Sequence, residues 1–337
     1  MRIVNEMHAF VRPFLIALVA LFALPGSVRA DWIWTRQTIS GVGTIRCIAY
    51  GAGIFVAGTN TGYTLSSRDG TTWTVSRPTL QPINDIIFAS QHFIASTEGT
   101  NSTTSVILRS VDGNAWAFGL VLTRNRPFRS DFNLAVLGTL HGHAIALGAN
   151  RNAIATSTTG RRWQIADPAP KSERYIGAAT DLTARGNRYF LCSTYAGATI
   201  QSSADGVTWT TDFSATTRGP ARGIAAEAGG RHLVCVGENG LNLLSSNAGE
   251  TWRAQSRDSL DYRGVIWAHS QFAAFTDKTV VTSLTGNFWT QQLKVTRGSD
   301  HLRALGNGSG LTVAVGNTGK NGVIYTSAGF PAPTPTP

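Results

Sequence analysis

A chain of 337 residues with 42% hydrophobic residues is long enough for one large core, and 36 glycines with only 14% charged residues exclude a body of long charged helices. The formal net charge is +10, and with only four lysines (Lys171, Lys278, Lys294, Lys320) arginine carries nearly all of it. Arginine makes forked contacts to carboxylate, sulfate and phosphate that lysine cannot.

The first thirty residues read as a cleaved export signal. Arg2 and Arg12 give a positive start, an apolar run follows over 14–24, Pro25-Gly26 breaks it, and Val28-Arg29-Ala30 offers small residues for cleavage. The run is short for a spanning helix. No Cys follows it to carry a lipid, and no later segment is apolar enough to span. The expectation is a secreted or periplasmic protein that starts at residue 31 and has its folded body over 31–330, without an integral membrane segment after cleavage.

An internal repeat then dominates the chain. Ser67-Arg68-Asp69-Gly70-Thr71-Thr72-Trp73 recurs over 110–116, 157–163, 203–209, 246–252 and 283–289 as S-x-x-G-x-x-W. The tryptophans are spaced by 43, 47, 46, 43 and 37 residues, which is about the 40–50 residues of a four-stranded propeller blade. Glycine supplies the positive φ of a tight hairpin. Ser and Asp side chains bond turn amides, and Trp opens the next strand with a large buried ring. In the first repeat the strands are expected at 44–50, 54–58, 63–67 and 72–77, and in the fifth at 221–227, 232–237, 241–246 and 251–256.

The two ends complete one further unit. The stretch 322–329 matches a third strand and its turn but lacks a Trp strand after it, whereas Trp32-Ile33-Trp34 is an outer strand with no turn before it. Trp34 precedes Trp73 by 39 residues, one more period. The sequence therefore predicts an all-β, seven-bladed β-propeller of four-stranded antiparallel blades, closed by the N-terminal strand completing the last blade. The 331–337 segment, Pro-Ala-Pro-Thr-Pro-Thr-Pro, has no core residue and reads as a tail or linker.

The repeat resembles the Asp-box, or BNR, repeat of sialidases and other propellers. Val236-Gly237-Glu238-Asn239-Gly240 with 246–252, and Val315-Gly316-Asn317-Thr318-Gly319, are similar to the blade consensus of Ycf48-like photosystem assembly factors. This resemblance implies a propeller that uses a basic face on a protein partner. Three boxes depart from the pattern, with Thr159, Ala248 and Thr285 in the Asp position, and all six are one residue shorter than the usual box.

Function is expected on the face holding the channel mouth, where the turns after second and fourth strands gather. Arg124, Arg126, Arg129, Arg174, Arg218, Arg222, Arg263 and Arg297 fall in those loops, with Arg77, Lys171, Arg257, Lys294 and Arg303. The densest group, 122–131, reads as a positive patch for an acidic protein or another anionic macromolecule. Its bland alternative is solvated arginine paired with nearby acids such as Asp131 and Asp261. A nucleic acid partner is not expected, and the protein is expected to be a monomer.

Neither an enzyme nor a cofactor site is evident. There is no G-x-S-x-G, H-E-x-x-H or P-loop. The nearest approach to a sialidase Arg-Ile-Pro is Arg126-Pro127-Phe128. A glycan-binding or glycoside-acting propeller stays open as the alternative, through mouth-side Glu98, Glu238 and Asp277 and the aromatic platforms Tyr63, Tyr195 and Tyr262. His92, His143, His232 and His269 recur near first turns of their blades and read as spread-out surface residues, although His141-Gly142-His143 has metal-ligand alternation. Cys47, Cys192 and Cys235 read as buried thiols. A Cys192–Cys235 bridge suits an exported protein, but equivalent positions on adjacent blades are expected to lie too far apart to bond.

Overall fold

The computed structural model describes residues 32–98, 104–123, 134–140, 143–148, 154–165, 179–194, 197–215, 219–255 and 259–328. Residues before Trp32 and after Ala328, and so the expected signal and tail, lie outside them. Every regular element among the described residues is a strand, and the strands form seven separate four-stranded antiparallel sheets. Their inner strands are Ile45–Gly51, Ile83–Ala89, Leu134–Leu140, Ala179–Arg185, Ala221–Ala226, Gly264–Ala268 and Asp300–Gly308, here numbered blades 1 to 7. Each inner strand packs beside the next, and that of blade 7 returns to blade 1. The chain is a seven-bladed β-propeller.

The repeated turn shows why the motif recurs. Ser67 Oγ accepts from Gly70 N at 2.9 Å and donates to Asp69 Oδ1 at 3.0 Å. Asp69 Oδ1 also accepts from Thr71 N at 2.8 Å and Thr72 N at 2.7 Å, and Trp73 Nε1 donates to Gly70 O. Bonds from the Thr72 and Thr71 amides stabilise the charged carboxylate and hold Asp69 well below its ordinary range. Asp112 and Asp205 repeat the arrangement. Thr159 and Thr285 substitute a hydroxyl that accepts one amide each.

The turn glycine is required for a second reason. Gly113 has φ +75°, and a Cβ there would stand 2.4 Å from Val56 of blade 1. Gly249 has φ +85°, and a Cβ there would stand 2.2 Å from the Phe190 ring of blade 4. The hairpin tip is thus pressed onto the preceding blade, and the motif fixes blade packing as well as turn shape.

Blade 5 departs from the sequence reading. Its turn starts at Ser245, not Ser246: Ser245 Oγ accepts from Gly249 N at 2.9 Å, and Asn247 Oδ1 accepts from Thr251 N at 3.0 Å. Asn247, rather than Ala248, holds the acceptor position. Ala248 is the extra residue and takes φ 58°.

The ring closes where the ends predicted it. The N-terminal strand Ile33–Ile39 pairs with Asn321–Ala328, placing Trp34 opposite Ser327 and Arg36 opposite Tyr325. Arg36 crosses to the inner strand of the same blade and grips Asp300 with Nε at 2.7 Å and Nη2 at 3.1 Å. Tyr325 Oη donates to the same carboxylate at 2.7 Å. Burial opposes the charge of Asp300, but the Arg36 and Tyr325 bonds outweigh it and hold the carboxyl far below its usual range.

Candidate mouth-face binding site

The channel mouth is shaped by one irregularity repeated from blade to blade. Register shifts fall between Ile45 and Cys47, Ile83 and Asp85, Leu134 and Val136, Ala179 and Asp181, Ala221 and Gly223, and Leu302 and Ala304. Each makes the strand register skip one residue at the mouth end of the inner strand. Such a bulge bends the strand and re-aims the side chain. Arg46, Asn84, Arg222 and Arg303 are bulged residues. Blade 6 lacks the shift, but Arg263 stands at the same level, its amide donating to Phe275 O at 2.8 Å. Arginine therefore occupies this position on four consecutive blades: 5, 6, 7 and 1.

Carboxylates at the ends of second strands or just after them hold these arginines. Arg46 Nη1 meets Glu98 Oε1 at 3.3 Å. Nε and Nη2 of Arg222 both donate to Glu238 Oε1, at 2.9 and 2.5 Å. Arg303 Nη1 and Arg263 Nη2 share Asp277 Oδ1 at 3.1 and 3.3 Å, and His301 Nδ1 meets the other oxygen at 2.5 Å. Burial works against the Asp277 charge, but His301, Arg263 and Arg303 together pull its carboxyl below the ordinary range. Burial, with Arg263 nearby, lowers Arg303. The guanidinium groups remain partly exposed, and Arg222, Arg263, Arg303, Glu238, Asp261 and Tyr262 line a hollow of about 570 Å³.

Below them the channel turns acidic on the other side of the ring. Asp85 and Asp181 follow the bulges of blades 2 and 4 and line a cavity of about 410 Å³ that also reaches the four arginines. Each carboxylate spans a blade seam. Asp85 accepts from Ile86 N and from Leu137 N of blade 3, and Asp181 from Leu182 N and from Ile224 N of blade 5. Burial pushes both up to about 7, against the amide bonds, and Asp181 also feels Asp85.

The expected site residues divide. Arg222 and Arg263 belong to the crescent. Arg297 is exposed in the loop before blade 7, its carbonyl accepting from Asp300 N. Arg124, Arg126, Arg129, Arg174 and Arg218 lie outside the described residues. Sequence reading missed Arg46, which it placed inside a strand, and it had no signal for the bulges. The aromatic platforms change as well. Tyr262 is fully buried against Trp289 with ring centroids 5.8 Å apart, Tyr63 is half-buried beneath Arg77, and Tyr195 lies outside the described residues. Glu98, Glu238 and Asp277 come from blades 2, 5 and 6, and each is engaged by arginine. His92, His143, His232 and His269 sit at first turns, on the face opposite the mouth.

No protein-family model matches the chain, and no curated protein matches it in sequence. Solved structures do match in shape. Ycf48 bound to a D1 peptide superposes with TM-score 0.68 at 16% identity, covering 88% of this chain and 97% of that one. Ycf48 from Cyanidioschyzon merolae gives 0.63 at 16%, covering 88% and 98%. Virginiamycin B lyase from Staphylococcus aureus, in a catalytically inactive form with quinupristin, gives 0.69 at 11%, covering 88% and 99%. At these identities the likeness is one of fold, shared by proteins of unrelated activity.

Proposed function

We propose that this chain is an exported, non-catalytic binding propeller that docks a protein partner on its mouth face, with Arg46, Arg222, Arg263 and Arg303 as the contact residues. The observation that carries this reading is the arginine crescent. Four guanidinium groups stand at one level on neighbouring blades, three of them aimed by bulges and all four held by internal carboxylates. Arginine has five N–H donors in a rigid fork, and these pairs use only part of each fork. Side chains already held in place lose less entropy on binding than free ones. A partner carboxylate can therefore add to an oriented donor edge, and the internal acids keep the face from being indiscriminately sticky to anions. The peptide complex of a propeller with this fold supports the same use of the scaffold. Export rests on the N-terminal thirty residues.

Affinity capture from the protein's own host tests the reading. Wild type is expected to recover a discrete partner, and an Arg46→Gln/Arg222→Gln/Arg263→Gln variant to lose it at least tenfold. An Arg124→Ala/Arg126→Ala/Arg129→Ala variant reports separately on the loop cluster. Undiminished capture by the first variant counts against the crescent, and turnover of a chromogenic glycoside by wild type counts against a non-catalytic role.

A further inference from the structure

We infer that Cys192 and Cys235 are the two halves of a disulfide that staples blade 4 to blade 5 once the chain folds in an oxidising compartment. The expectation that these cysteines sit at equivalent blade positions is wrong. Cys192, on Arg188–Ser193, pairs with Asp181, the residue that follows the bulge of blade 4. The residue following the bulge of blade 5 is Gly223, and it pairs with Val236, not Cys235. Cys235 pairs instead with Ile224. The two cysteines are thus offset by one position along the second strand. Successive side chains alternate between sheet faces, so Cys192 faces blade 5 while Cys235 faces blade 4.

Two further contacts fix this opposition. Asp181 Oδ2 accepts from Ile224 N at 2.9 Å, which ties together the very residues that pair with the two cysteines. Both thiols are fully buried in one core cluster with Ile200, Ile224 and Leu243. Both are free thiols in the structure, and the neighbouring Cys192 thiol, with burial, raises Cys235 well above its usual range. The third cysteine has no such neighbour among the described residues: Cys47 is buried on blade 1 and donates to the Gly58 carbonyl at 3.9 Å. The odd cysteine count thus resolves into one facing pair and one solitary thiol.

The chemistry balances as an ordinary dithiol oxidation. Two S–H bonds break and one S–S bond forms, while two protons go to solvent and two electrons to a dithiol–disulfide oxidant of the compartment. Attack requires a thiolate, which the closed core disfavours. The bond therefore forms while the blade 4–5 seam is still open, and closure afterwards shields it from reductants.

The inference rests on the export reading only for where oxidation occurs, so the test has two arms. The full chain is recovered from the exported fraction, and separately refolded from the reduced state in an oxidising glutathione buffer. Both samples are denatured without reductant, alkylated, cut with trypsin and mapped by mass. The expected result is a cross-linked species of peptides 189–218 and 232–253, alkylation confined to Cys47, and a denaturation midpoint that falls on reduction in wild type but not in Cys192→Ser/Cys235→Ser. Alkylation of all three cysteines in the refolded sample would overturn the proposal whether or not export occurs. A bridged refolded sample without an exported fraction would retain the staple and remove the export reading.

Discussion

Replacing Asp300 by Ala is expected to unlatch the ring at its closure. Asp300 has no exposed surface and holds the N-terminal strand through Nε and Nη2 of Arg36, while the same carboxylate satisfies Tyr325 Oη. Removing one partner of a buried ion pair costs about 3–5 kcal/mol because the other charge is left behind. The Arg36 side chain is 26% exposed and recovers some hydration, which places the loss near the lower end, about 3 kcal/mol. Arg36→Met is expected to cost a comparable amount, since it strands a fully buried carboxylate that must then take up a proton. Equilibrium urea unfolding followed by tryptophan fluorescence reads this directly, because Trp32 and Trp34 flank or occupy the closing strand. Arg46→Met is the control: its pair with Glu98 is about 40% exposed on both sides, and such a pair contributes at most about 1 kcal/mol. An Asp300→Ala loss no larger than the control's would refute the latch.

Further outcomes follow from the channel and the turns. Asp85 and Asp181 are raised to about 7 from 3.8. Between those values the folded state holds more protons than the unfolded one, so their contribution to stability falls as pH rises. The denaturation midpoint of wild type is therefore expected to decline from pH ~5 to ~8, and Asp85→Asn/Asp181→Asn is expected to flatten that slope; an unchanged slope would contradict the assignment. Asp300 acts in the opposite sense, its stabilisation being present above the unfolded pKa and lost only in strong acid. Gly249→Ala is expected to cost more than about 2 kcal/mol, combining left-handed strain with overpacking on Phe190. Gly53→Ala, with φ +75° but nothing within 4 Å of the added carbon, is expected to cost about 1 kcal/mol from strain alone. Equal losses at the two positions in the same urea assay would show that blade contact adds nothing to the turn.

Most of the architecture was legible because it is written in local chemistry. The Gly and Trp of each turn repeat within a seven-residue window, and the two half-repeats at the ends reveal the closure. What failed was whatever depends on register. Arg46 looks like an interior strand residue until a bulge turns it toward the channel. In blade 5 a single extra residue moved the turn acceptor from the expected Ala248 to Asn247. Cys192 and Cys235 looked equivalent when counted from the repeat, but a one-position offset puts them face to face. Tyr262 looked like a loop aromatic, yet its ring is enclosed by blade packing. These are long-range consequences of pairing, and a period-based reading carries no information on them. The loop arginines 124, 126 and 129 were legible as a charge cluster, but they lie outside the described residues and stay a matter for the capture experiment.

Hydrogen exchange with mass detection, on the captured partner complex against the free propeller, tests the docking face most directly. The bulged residues Arg46, Arg222 and Arg303 are skipped by the strand ladder, so their amides are expected to gain protection when a partner covers them. The expected result is new protection at the bulged residues Arg46, Arg222 and Arg303, with no change in the hairpin tips at 67–72, 110–115 and 203–208. Protection confined to those hairpin tips would place the partner on the opposite face and contradict the arginine crescent as the binding surface.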